Sequence, residues 1–155
     1  MSRSAEPKAK VLFRIEDDAG AENVETLWAL ELGDDCYELT NCPFYAYGVS
    51  LGDVVWAPYD EDEQYPGFRR VVKKSGNRTV RVAFDLAVAP GNASDEVLQE
   101  LVALGCNYEG ANPSYIVVNV PRTTNLEFVV ACLVENQARW EHADPTFAEL
   151  HPDEP

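Results

Sequence analysis

Between Phe44 and Tyr65 the chain concentrates aromatic and acidic side chains. Phe44, Tyr45, Tyr47, Trp56, Tyr59 and Tyr65 lie among Asp53, Asp60, Glu61, Asp62 and Glu63. Aromatic rings give large contact area at low conformational cost, and acids beside them steer a cationic partner into place. This is the chemistry of recognition rather than of bond-making. At least half of Phe44, Trp56 and Tyr47 are expected to enter the core of a first sheet. Tyr59 and Tyr65 sit inside the acidic run, where burial is harder, and form the expected exposed edge. The candidate partner-binding set is therefore Tyr59, Asp60, Glu61, Asp62, Glu63 and Tyr65, with Tyr45 and Asp53 beside it.

Bond-making chemistry finds less material. A Ser-His-Asp or Cys-His arrangement needs an imidazole base, and the chain has 2 histidines, His142 and His151, the second close to its end. Cys36, Cys42, Cys106 and Cys132 fit neither a zinc ribbon nor a redox CxxC pair, so four reduced, mostly buried thiols are expected. The run Asp60-Glu61-Asp62-Glu63 attracts a hard-cation hypothesis but lacks the glycine and terminal Glu spacing of an EF-hand. A solvated hairpin tip is expected there. Gly48-Val49-Ser50-Leu51-Gly52 has no following Lys and no helix to aim at an anion. No catalytic residue, metal site or cofactor is assigned.

Charge narrows the partner class. There are 27 acids against 12 bases, a net charge of −15. Such a surface repels nucleic acid and anionic lipid and favours the capture of basic partners. A host proteome adapted to salt gives the same bias, and composition does not separate the two. Half of the bases cluster in RRVVKKSGNRTVR, from Arg69 to Arg81, without interleaved aromatics of the kind that stack on single-stranded nucleic acid. Pairing with the acidic surroundings is the expectation for this run, and nucleic acid is not an expected partner.

These residues must be positioned by a chain of 155 residues, enough for one compact domain or two small ones. No stretch approaches the roughly 20 apolar residues of a membrane span, and Arg3, Lys8 and Lys10 precede no signal-like apolar core. A cytoplasmic protein is expected. VLFRI (Val11–Ile15), TLWALEL (Thr26–Leu32), CYEL, VVWAPY and FRRVVKK read as short strands, with turn chemistry at Gly33-Asp34-Asp35. They predict a small bent β-sheet or partial barrel over 11–76. From Thr79 the period changes. TVRVAFDL is a strand, Ser94 caps a helix carrying Val97, Leu98, Leu101 and Val102, and Gly105 stops it. Two strands follow around Gly110–Pro113. A Thr124-x-x-Glu127 capping box then opens a helix with the stripe Leu126, Val129, Val130, Leu133 and Val134, and Ala138–His142 returns as an edge strand. Strand–helix–strand–strand–helix–strand is the ferredoxin-like order, assigned to 77–143 within an α+β protein. Residues 1–10 are expected to be disordered and 144–155 to be an acidic, Pro-containing tail.

The runs VLFRI, ETLWALELGDDCYELTNCPFYAYGVSLGDVV, FRRVVKKSGNRTVRV and LVALGC resemble an uncharacterised bacterial family, domain-of-unknown-function family 4265. The likeness extends from Val11 to about Glu141 and is most specific over Asn41–Val55. The resemblance implies no activity and no catalytic residues. The functional expectation therefore comes from the residues themselves. It is an acidic protein-binding module, in its sharpest form an immunity protein that occupies the cationic surface of a basic, toxic enzyme. The alternatives are a small-molecule-sensing regulatory domain and an enzyme of unrecognised type.

Overall fold

The computed structural model describes residues 9–16 and 19–153. The chain divides between Ser75 and Gly76 into two compact units.

The first unit is built on an antiparallel five-stranded sheet in the order β1 (Ala9–Glu16), β2 (Glu22–Gly33), β3 (Cys36–Leu39), β4 (Val54–Trp56) and β7 (Arg70–Lys73). Two-residue alternation decides its faces. Val11 and Phe13 of β1 and Leu27 and Ala29 of β2 point into a core completed by Tyr37, Leu39, Val49 and Val55, while Lys10, Arg14 and Trp28 point outward. Asp34 and Asp35 both have positive φ, 55° and 62°, and together turn β2 into β3. That backbone matches the twist of the flanking strands, and short polar residues tolerate it. The sheet bends back on itself before β7. The Phe68 amide donates to the Leu12 carbonyl at 2.9 Å, Leu12 bridges Gly67, and the Phe13 and Phe68 rings stack at 4.6 Å. A small ribbon, β5 (Tyr59–Asp60) with β6 (Tyr65–Pro66), carries the acidic run.

The second unit has the ferredoxin-like order β8 (Arg78–Ala83), α1 (Ala93–Ala103), β9 (Asn107–Asn112), β10 (Tyr115–Val120), α2 (Leu126–Glu135) and β11 (Arg139–Asp144). Its sheet runs β11-β8-β10-β9. Val80, Val82, Ile116, Val118 and Val120 from the strands meet Val97, Leu98 and Leu101 of α1 and Val129 and Leu133 of α2. With the first unit this makes an α+β fold. Both apolar stripes are narrower than the helical period predicts, because Val102 and Val134 stay exposed. Among the described residues, no helix is long and apolar enough to cross a membrane.

The helix ends differ in detail from expectation. α1 is capped by Asn92, whose side chain accepts from the Asp95 amide at 2.9 Å. Ser94 lies inside the first turn, where its hydroxyl donates to the Leu86 carbonyl at 2.6 Å. α2 is capped by Asn125 through the Glu127 and Phe128 amides, because Thr124 is held one residue earlier in a turn on Pro121. A reciprocal capping box does form, between Thr146 and Glu149, and it opens α3 (Phe147–Leu150). Within the segment expected as an acidic, Pro-containing tail, the described residues 144–153 hold more order: Asp144 completes β11 and α3 follows. At the other end Ala9 and Lys10 belong to β1, while residues 1–8 of the segment expected to be disordered lie outside the described residues. Both long helices close with the same double bond. Cys106 donates to Leu101 and Gly105 to Val102, just as Ala138 donates to Leu133 and Gln137 to Val134. This closure requires a left-handed residue, supplied by Gly105 at φ 109° and by Gln137 at φ 56°.

Two outcomes are expected from this packing. Leu133→Ala removes a fully buried side chain from the helix–sheet core and should lower unfolding free energy by about 2–5 kcal/mol in urea denaturation. All four cysteines are thiols outside any disulfide, and burial pushes the Cys106 thiol up to about 11. Ellman's reagent should therefore modify the half-buried Cys36 first in the native protein and reach Cys42, Cys106 and Cys132 on unfolding.

Candidate functional site

The acidic run folds into the tip of the β5–β6 ribbon. Asp60 organises it. One carboxylate oxygen accepts from the Asp62 amide at 2.9 Å and the Glu63 amide at 3.1 Å, an Asx turn that fixes the backbone of the tip. The other accepts from Arg14 Nη2 at 2.9 Å, and Arg14 Nη1 reaches Glu63 at 2.5 Å. Arg14 also lies 3.6 Å from Glu22. The Glu63 amide, with smaller contributions from Arg14 and the Asp62 amide, holds the Asp60 carboxyl below its ordinary value. The Asp60 carboxylate therefore keeps accepting these bonds at acidity where a free aspartate already protonates.

This arrangement divides the four acids. Asp60 and Glu63 are engaged inside the molecule; Glu61 and Asp62 remain exposed at the turn. It also divides the tyrosines. Tyr59 pairs with Pro66 and Asp60 with Tyr65, so strand alternation sends the two rings to opposite flanks of the ribbon. Tyr65 shares the Asp60 flank, which faces Arg14, and is 38% exposed; Tyr59, on the other flank, is 61% exposed. Beside Arg14 lies a hollow of about 360 Å³ lined by Leu12, Asp60, Gly67, Phe68 and Arg69.

Asp53 does not belong to this surface. It is fully buried, and its carboxylate accepts from the Ser50 amide at 2.9 Å, the Ser75 amide at 2.8 Å and Lys74 Nζ at 2.6 Å. Three donors leave it no face for a partner. Tyr45 is exposed, as a recognition residue must be. Of the three aromatics expected at least half in the core, Tyr47 is exposed as well, and Phe44 and Trp56 are half-buried. The loop that carries Phe44, Tyr45 and Tyr47 is held by Glu25, which sequence reasoning missed. Its buried carboxylate accepts from three successive amides, Phe44 at 2.6 Å, Tyr45 at 3.1 Å and Ala46 at 2.9 Å. The loop backbone is thereby drawn inward and the tyrosine rings are turned out. The available signal was an acid in the inward register of β2, two residues before Leu27.

The basic run is largely engaged within its own units. Lys74 pairs with Asp53, Arg70 stacks over Trp56, and Arg78 donates to the carbonyls of Val120, Pro121 and Thr124. Arg81, almost fully buried, meets Glu141 at 3.2 Å. His142 packs edge-on against Trp140 at 4.8 Å, and burial lowers its pKa. With the Cys106 thiol pushed up, both groups favour their neutral forms, the reverse of an activated thiolate–imidazolium pair. Among the described residues, no group of three or more His, Cys, Asp or Glu side chains is placed to hold a metal ion.

No curated protein matches the chain. A solved structure described as "Novel crystal structure of a hypothetical protein from Neisseria gonorrhoeae" is similar in fold, with a TM-score of 0.77 at 19% identity, over 90% of this chain and 96% of that one. The family model with the description "Domain of unknown function (DUF4265)" matches residues 25–143, well over half of the sequence. The chain belongs to that family.

Proposed function

We propose that this protein is a binding module for a basic protein, and that the β5–β6 ribbon is the element that enters the partner. The observation that carries this is the shape of the ribbon: free carboxylates of Glu61 and Asp62 at its tip, a tyrosine on each flank, and a base tied to β1 by Arg14. A narrow acidic blade of this kind complements a cationic cleft better than a flat surface. Its backbone is already fixed by Asp60, so little ordering entropy is lost on binding. The net charge of −15 adds long-range attraction that speeds encounter. In its most specific form the module is an inhibitor, an immunity protein that fills the active-site cleft of a basic and toxic enzyme.

Charge and aromatic contact should fail differently. Glu61→Gln combined with Asp62→Asn should slow association and flatten its salt dependence, because rim charges act mainly on encounter. Tyr59→Ala should instead speed dissociation, costing about 1–2 kcal/mol or more if the ring is an anchor, and Tyr65→Ala should cost less because its flank is partly covered. The measurement is binding kinetics at two salt concentrations on a partner captured from the native host. Unchanged rates in both sets of variants would remove the ribbon from the interface.

A further inference from the structure

We propose that the outward face of α2 is an interaction surface for a basic amphipathic helix, which packs its apolar side against Phe128, Ala131 and Val134. The surface belongs to the second unit and stands independently of the acidic ribbon of the first.

Of the ten residues of α2, LEFVVACLVE, all but Glu127 and Glu135 are apolar, more than a helix with one buried face requires. Val129, Cys132 and Leu133 are buried and belong to the helix–sheet core. Away from it Glu127, Phe128, Ala131, Val134 and Glu135 are all exposed, Phe128 at 61% and Val134 at 58%. Phe128, Ala131 and Val134 follow one another at three-residue steps, so they form an oblique ridge across the helix with its smallest side chain at the centre. A second helix can come close over Ala131 and take the ridge between its own side chains. Left in water, the ring and the valine are apolar surface that is poorly solvated.

Charge decides the occupant. Glu127 and Glu135 each lie four residues from Ala131, in opposite directions, which places one acid on either side of the ridge. Both are exposed, and among the described residues neither forms an ion pair. Glu100 of α1 accepts from Asn136 Nδ2 at 3.2 Å, which brings a further carboxylate to the C-terminal end of α2. The two helices carry Asp95, Glu96, Glu100, Glu127 and Glu135 and no Lys or Arg. A second copy of the chain, itself at net charge −15, would set the same acids against these and be repelled. A partner helix with an apolar stripe between two rows of Lys or Arg satisfies the ridge and its flanking acids together.

Two blocked peptides of about 15 residues, each made of leucine and lysine, test this by NMR titration into the full chain. In one the leucines fall on a single helical face; in its isomer of identical composition they are spread around the circumference. The amphipathic peptide should shift the Phe128 ring and the Ala131 and Val134 methyls. It should bind about tenfold tighter than the isomer, as partial burial of one large side chain implies. Phe128→Ser should abolish that preference and leave the isomer's affinity unchanged. Val134→Ser, at a second exposed position, should lower the preference as well and guards against a folding defect in the first variant. Glu127→Gln with Glu135→Gln should weaken the amphipathic peptide at low salt and have no effect at high salt. Equal affinities of the two peptides would overturn the α2 surface, and shifts confined to Glu61 and Asp62 would overturn it while leaving the ribbon standing. Affinity at low salt that is untouched by the loss of Glu127 and Glu135 would overturn a basic occupant. Shifts of Phe128 and Val134 with protein concentration alone would make the occupant a second copy of the chain and overturn the proposal.

Discussion

A carboxylate taken out of water must find donors to replace its hydration, and two such carboxylates set the loop geometry of the first unit. Asp53 draws the turn around Ser50, the start of β4 and the end of β7 into one knot through two amides and Lys74. Glu25 draws the Phe44–Ala46 backbone toward the sheet. Irregular backbone between β3 and β4 otherwise has no ladder to satisfy its amides. The two acids supply those acceptors, and with them the direction in which Tyr45 and Tyr47 point. The exposed aromatic surface is thus a consequence of buried charge.

The same economy of acceptors appears in the second unit with the sign reversed. There the cation is fixed by carbonyls: Arg78 takes up those of Val120, Pro121 and Thr124, where β10 ends and the turn into α2 begins. The guanidinium fork suits several divergent oxygens at once. A run of bases that reads as a nucleic-acid patch when counted becomes mostly internal fastening when placed. The acids behave likewise. Asp53, Asp60 and Glu63 have defined partners within the chain, and in the acidic run Glu61 and Asp62 stay exposed. Net charge describes the field at a distance; tertiary structure selects which groups remain for contact.

Strand and helix identity was legible in the sequence because it follows from local pattern. Alternation in VLFRI and TLWALEL requires half-buried strands, and Val97, Leu98, Leu101 and Val129, Leu133 require helices with one buried face. The order of those elements implied the ferredoxin-like half, and Gly105 marked the end of α1 through its backbone freedom alone. Caps were less legible. Ser, Thr and Asn all bear a suitable oxygen, and which one caps depends on a shift of one or two residues that local sequence leaves open. Asn92 and Asn125 hold that place, while Ser94 and Thr124 serve other bonds.

The candidate surface divides the same way. The sequence by itself determined that an acidic, aromatic segment lies between two strands, and that Tyr59 and Tyr65 are difficult to bury inside it. Tertiary structure decided the rest, because each remaining fact depends on a residue distant along the chain. Arg14 arrives from β1 to bind Asp60 and Glu63; Lys74 and Ser75 arrive from the end of the unit to enclose Asp53; Glu25 reaches from β2 to turn Tyr45 outward. Hydrogen bonds and ion pairs act over a few ångströms in space without regard to separation in sequence. No local pattern of residues announces which carboxylate will be held and which left free.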